Sequence, residues 1–98
     1  MAQFDVHEVK AGRYLIDCQA DLLSHLESRI TIPLEPASER PPAATRLHPH
    51  FAVQGRTMVL ATHLAGAIPT RSLGRKVSSL IEYEYEIKAA LDVLISGI

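Results

Sequence analysis

The chain predicts a small α+β domain, mostly β, in which a curled antiparallel sheet is followed by one C-terminal helix. Three observations carry that reading. Short segments with period-two or β-branched patterning, bounded by turn residues, fill most of the sequence. One long segment with a helical apolar stripe closes it. The length of 98 residues, 47% apolar and 21% charged, fits one folded domain over residues 1–98, with one core and no separate catalytic lobe. Aromatic residues are 5% of the chain and Trp is absent, so the core is expected to be aliphatic.

Each element has its own justification. Gln3–Val9 alternates, with Phe4 and Val6 on one side and Asp5 and His7 on the other, as a strand does. Lys10-Ala11-Gly12 supplies a turn into a second strand, Arg13–Cys18, and the two form an antiparallel hairpin. Arg29–Leu34 is a third strand, with Pro33 near its end suiting an edge or an exit. Glu35–Arg46, rich in Pro, Ala and Ser, reads as an exposed loop. His48–Val53 and Arg56–Ala61 form a second hairpin around Gln54-Gly55. Ile68-Pro69 and Ser72-Leu73 are short strands. The helix runs Leu80–Ile95, about 24 Å long at the α-helical rise. Ser79 and Glu82 give it a capping-box signature, and Glu82, Glu84 and Glu86 sit where the macrodipole favours negative charge. Its stripe is Val77, Leu80, Ile81, Ile87, Leu91, Leu94 and Ile95.

Charge and composition exclude several function classes. The net charge of −1 and the scattering of ten basic residues argue against direct nucleic-acid binding; Arg71, Arg75 and Lys76 are the only dense group. One cysteine, Cys18, permits no intrachain disulfide and fits a reducing cytoplasm. No signal peptide and no apolar run of membrane-spanning length is present, so neither export nor a membrane partner is expected. Cys18 lies in an apolar strand, where a buried and inert thiol is the ordinary outcome. His48 and His50 would share a strand face, but two histidines with no supporting ligand make no metal site. The five glycines are isolated and build no phosphate loop, and no nucleophile motif occurs. No catalytic residue, metal ligand or cofactor is expected.

The end of the chain stands out. Only Ser96, Gly97 and Ile98 follow the helix. Gly97 suits a left-handed C-terminal cap, from which Ile98 either closes back on Val93 or is presented to a partner. Glu84 falls where the stripe would continue, either pairing with Lys88 or facing a partner. Asp92 puts a negative charge in the last turn, against the macrodipole.

An ordered set of segments resembles one family. Gln3-Phe4-x-Val6, Arg13-Tyr14, Gln19-x-Asp21-Leu22-Leu23, Ile32-Pro33-Leu34, Leu47-x-Pro49 and the closing Ile87-Lys88-x-Ala90 through Gly97-Ile98 are similar to CcdB, the toxin of CcdA/CcdB toxin–antitoxin systems. The resemblance implies a homodimer of SH3-like barrels, each with a five-stranded antiparallel sheet, a small accessory sheet and a C-terminal helix. It implies no enzymatic activity. It implies binding to the A subunit of DNA gyrase, trapping of the cleaved gyrase–DNA complex, and neutralisation by a CcdA-like antitoxin whose complex with the toxin represses its own operon. DNA would be reached only through that complex.

By the same resemblance, Ser96, Gly97 and Ile98 form the gyrase-contacting end. Asp92 stands at a functional Asn, Leu22 and Leu23 at paired isoleucines, and Glu84 at an exposed helix Glu. Val9, Lys10, Ala11, Gly12 and Arg13 match a turn that contacts the antitoxin. One departure stands against the pattern: the family ends in Trp-Gly-Ile, and its two indoles sandwich an arginine of gyrase, whereas Ser96 has no aromatic face. Three outcomes stay open: a weaker gyrase poison, a toxin matched to an altered target surface, or an inactive relative that binds only the antitoxin. A MazF/Kid-like ribonuclease on the same barrel is the alternative in the enzyme class.

Overall fold

The computed structural model describes residues 2–39 and 46–97. Among the described residues, seven strands precede one helix: β1 (Asp5–Lys10), β2 (Arg13–Asp17), β3 (Ser28–Pro36), β4 (His50–Val53), β5 (Arg56–Leu60), β6 (Gly66–Pro69), β7 (Arg75–Ser79) and α1 (Glu84–Ser96). Short 3-10 turns cover Asp21–Leu23, Thr62–Leu64, Thr70–Ser72 and Ile81–Tyr83. All pairings are antiparallel, and the strands form one curled sheet in the order β4-β5-β3-β2-β1-β7, with β6 on β3. The mostly-β half-barrel with a C-terminal helix is the fold class the sequence predicts.

Both expected hairpins form. β4 and β5 meet at Gln54-Gly55, with φ of 51° and 80°, the positive pair that a two-residue turn of right-handed twist requires. β1 starts at Asp5 rather than Gln3, because Phe4 adopts a φ of 68°. That conformation is held by burial of the ring and by two hydrogen bonds: the Phe4 N–H donates to Asp17, and its carbonyl accepts from Leu80.

β3 is longer than expected and organises the sheet. One edge pairs with β2; along the other, β6 occupies Ser28–Thr31 and β5 occupies Leu34–Pro36. Pro33 sits in the middle of this central strand, not at its end. Its carbonyl accepts the Ala61 N–H at 2.9 Å, so its nitrogen faces the same edge, at the gap where β6 has stopped and β5 has not begun. A missing donor there disrupts no ladder bond.

Three local expectations are corrected. Ser72–Leu73 is not a strand; it lies in and after a 3-10 turn, and the strand is Arg75–Ser79. β7 is a sheet edge whose basic residues pair with β1 carboxylates, Arg75 with Glu8 at 3.2 Å and Lys76 with Asp5 at 3.3 Å. Charged edges of this kind discourage further strand pairing. The helix begins at Glu84, not Leu80. Ser79 is still in the β7 ladder opposite Asp5, so the chain turns through Ile81–Tyr83 first. The Ser79 hydroxyl accepts the Ile81 N–H at 3.3 Å, and the capping box with Glu82 does not form.

The core gathers Val6, Ile16, Ile32, Leu34, Met58 and Leu60 under Leu80, Ile87 and Ala90. It is less purely aliphatic than composition implied. Phe4 and Phe51 are buried in it, and the Phe51 and Tyr83 rings lie 4.8 Å apart. Asp5 and His7, on the side of the strand opposite Phe4 and Val6, are also buried. The turn before β7 packs against β1 so closely that the His7 Nδ1–H donates to the Gly74 carbonyl at 2.9 Å. No helix among the described residues is long and apolar enough to cross a membrane.

Candidate functional site: an uncovered helix end and two turns

The α1 stripe divides along its length. Ile87 and Ala90 are fully buried, whereas Leu94 and Ile95 are exposed, Ile95 by 79%. The helix closes as the sequence implies: Gly97 takes a φ of 76°, and its N–H donates to the Val93 carbonyl at 2.9 Å. That backbone conformation suits glycine, because a Cβ there meets the neighbouring carbonyl. Ser96 and Gly97 are exposed beyond it. Ile98, whose two alternative poses the sequence left open, lies outside the described residues.

Glu84 is half-buried and pairs with Lys88 at 2.5 Å, the i,i+4 contact considered from sequence. Asp92 is exposed, with no hydrogen bond or ion pair among the described residues. Asp92 and Ser96 share a groove of about 440 Å³ with Arg46, Tyr85, Lys88 and Ala89. Tyr85, 81% exposed, was not singled out from the sequence. The signal for it was an aromatic residue on the polar side of the stripe.

Leu22 and Leu23 stand on a separate 3-10 turn and do not line that groove. Leu22 is 92% exposed. A buried polar network that sequence reasoning missed holds this turn. Arg29 and Asp17 form a fully buried ion pair, Nη2–Oδ2 at 2.6 Å and Nε–Oδ2 at 3.1 Å. Asp17 Oδ1 also accepts the Gln19 N–H at 3.1 Å. The Gln19 side chain then accepts the Ile30 N–H at 3.1 Å and donates to the Leu23 carbonyl at 2.9 Å. Asp21 Oδ1 takes the Gln3 N–H at 2.8 Å. The displayed leucines therefore rest on a rigid base.

The β1–β2 turn is the third feature. Lys10, Ala11, Gly12 and Arg13 are exposed, and Val9 is half-buried. Glu8 braces the turn by accepting the Gly12 N–H at 3.3 Å and the Arg75 guanidinium. Those two contacts, the Gly12 N–H first, hold the Glu8 carboxyl below its ordinary range. Val9, Gly12 and Arg13 line a cleft of about 350 Å³ with Tyr14, Glu35, Glu39 and Leu64, whereas Lys10 and Ala11 do not.

The groups with chemical potential are arranged differently. Cys18 is buried, and desolvation, with the Asp17 charge second, pushes its thiol up to about 12. His48 and His50 do not share a strand face, because β4 begins at His50. His48 Nε2 instead hydrogen-bonds His63 Nδ1 at 2.9 Å. Among the described residues no three His, Cys, Asp or Glu side chains gather as a metal site.

Fold and surface together define a small mostly-β half-barrel with an uncovered apolar helix end beside a polar groove. The model of the CcdB protein family matches residues 3–97. The chain belongs to the CcdB family, toxins of toxin–antitoxin systems. No curated protein matches the sequence significantly. Among solved structures, the chain is similar to the Mycobacterium tuberculosis toxin MazF-mt6, with a TM-score of 0.76 and 14% identity over 93% of this chain and 95% of that one. At that identity the likeness concerns the fold alone.

Proposed function

We propose that this chain is the toxin of a type II toxin–antitoxin system and acts without catalysis, by binding the A subunit of DNA gyrase and trapping the cleaved gyrase–DNA complex. The observation that carries the reading is the rigid, uncovered end of α1, capped by left-handed Gly97 and flanked by exposed Leu94 and Ile95. Apolar side chains in this state lower their free energy by being covered, and a large protein surface covers them.

The working form is a homodimer of one toxin domain spanning residues 1–98. An isologous interface brings two copies of the helix end toward one symmetric target. Ser96, Gly97, Ile98, Asp92, Glu84, Leu22 and Leu23 face gyrase. Val9, Lys10, Ala11, Gly12 and Arg13, with the cleft beside them, face a CcdA-like antitoxin, and DNA is contacted only through the repressing toxin–antitoxin complex. The action takes place in the cytoplasm and uses no cofactor or metal.

The test is deletion of Gly97 and Ile98. Growth arrest and gyrase-linked DNA breaks disappear while dimer mass and circular dichroism stay unchanged. A truncated protein that still arrests growth rejects the reading. The second reading is a MazF/Kid-like ribonuclease on the same barrel; specific cleavage of labelled RNA by the purified protein selects it. Tight antitoxin binding with neither activity selects a non-toxic relative.

A further inference from the structure

We propose that Gln19 is a positioning residue for partner binding: its side-chain amide holds the Asp21–Leu23 turn, and with it Leu22, in the pose that a partner protein meets. The inference deepens the reading of Leu22 and Leu23 as contact residues and rests on it.

Asp21, Leu22 and Leu23 are all exposed, Leu22 by 92%, so no core contact fixes where the turn stands. Its ties among the described residues are polar. Asp21 Oδ1 accepts the Gln3 N–H at 2.8 Å, and the Thr70 hydroxyl donates to the Leu26 carbonyl at 3.2 Å, both at exposed positions. Water competes for bonds of that kind. Gln19 differs, because only 7% of it is exposed.

The Gln19 amide carries the sheet past its last rung. β2 and β3 pair as far as Asp17 and Thr31, and the Cys18 N–H still reaches the Ile30 carbonyl at 2.9 Å. The Ile30 N–H then donates to Gln19 Oε1 at 3.1 Å, and Gln19 Nε2 donates to the Leu23 carbonyl at 2.9 Å. The Gln19 N–H is itself fixed on Asp17 Oδ1 at 3.1 Å, beside the buried Arg29. One side chain thus accepts from a central strand and donates to a surface turn. An amide does both and stays neutral, whereas a carboxylate only accepts. The accepting half satisfies a strand N–H. The donating half goes to a carbonyl that water could serve, so what it adds is order. A turn ordered before binding loses less freedom on association.

The test compares the full chain with Gln19→Glu and Gln19→Met. Ionised Glu keeps the acceptor for Ile30 and has no proton for Leu23; Met offers similar volume without the amide. In the free protein, backbone NMR relaxation is expected to give Leu22–Ser24 order parameters of about 0.85, falling below about 0.6 in both variants at neutral pH, with β2 and β3 unchanged. Acid that protonates the new carboxyl, which faces the Asp17–Arg29 pair and follows Asp21's turn, restores a donor and hence order in Gln19→Glu, and not in Gln19→Met. With the gyrase A subunit as ligand, Gln19→Met weakens binding roughly 5- to 30-fold, and adds little in a Leu22→Ala/Leu23→Ala background because it acts through those side chains. Unchanged order parameters, acid recovery in Gln19→Met, wild-type affinity of Gln19→Met, or full additivity with the leucine variants overturns the proposal. If gyrase A does not bind the wild type while the turn loosens as stated, the gyrase reading fails and the hold of Gln19 on the turn stands.

Discussion

Replacing Asp17 by Asn keeps the shape of the side chain and removes its charge. Arg29 is then left as an uncompensated guanidinium with no solvent exposure. The pair makes three contacts, Nε to Oδ1 at 3.3 Å, Nε to Oδ2 at 3.1 Å and Nη2 to Oδ2 at 2.6 Å, while Nη1 has no hydrogen-bond partner among the described residues. Breaking a buried pair of this kind costs about 3–5 kcal/mol. A domain of 98 residues has a total stability of about 5–15 kcal/mol, so the loss is a large share of it. At about 4–8 °C per kcal/mol, Tm falls by at least about 12 °C. Urea unfolding followed by far-UV circular dichroism at fixed protein concentration measures it. The double variant Asp17→Leu/Arg29→Met removes both charges and is expected within about 2 kcal/mol of the wild type, because neither ion then needs solvation. If Asp17→Asn loses under about 1 kcal/mol, or the double variant loses as much as the single, the site is neither dry nor coupled and the reasoning is refuted. Because Asp17 also anchors Gln19, and Gln19 holds Leu23, Asp17→Asn speeds amide exchange in the turn that displays Leu22.

Two further expectations follow from buried contacts. Burial raises the Cys18 thiol from 9.0 to about 12, so between those values the unfolded chain releases a proton that the folded chain keeps. Its contribution to stability is complete below pH 9 and declines as pH rises, at up to about 1.4 kcal/mol per unit. Cys18→Ala loses that share of the alkaline slope, and the native thiol resists a disulfide reagent at pH 8; native reactivity equal to that of the urea-unfolded chain contradicts this. At Gly74, an added Cβ would lie 1.8 Å from the Glu8 carbonyl oxygen, a backbone atom with no freedom to yield. Gly74→Ala therefore separates the turn before β7 from β1, breaks the His7–Gly74 bond and lowers Tm by more than Cys18→Ala does in a thermal melt; a wild-type Tm refutes the close approach.

Local signals were legible wherever the chain's own chemistry decides the outcome. The Gln54-Gly55 hairpin, the Glu84–Lys88 pair and the Gly97 cap each involve residues within four positions of one another, and each forms. The segments resembling CcdB were legible for a different reason, since their order along the chain carries the match. Tyr85 was overlooked because its one signal, an aromatic residue on the polar side of the stripe, does not by itself mark a site. The Asp17–Arg29 pair was overlooked because nothing in Arg29-Ile30-Thr31 distinguishes a buried guanidinium from a solvated one.

By itself, the amino-acid order determined the alternation of strands, the turns between them, the closing helix and its glycine cap. These depend on periodicity and on backbone preferences that each residue carries with it. Tertiary structure alone decided where Asp5, His7 and Arg29 are buried, where α1 begins, how Pro33 fits a central strand, and which groove collects Tyr85, Asp92 and Ser96. Each of those depends on a contact between segments distant in sequence, because burial belongs to the assembled surface and no residue contains it alone.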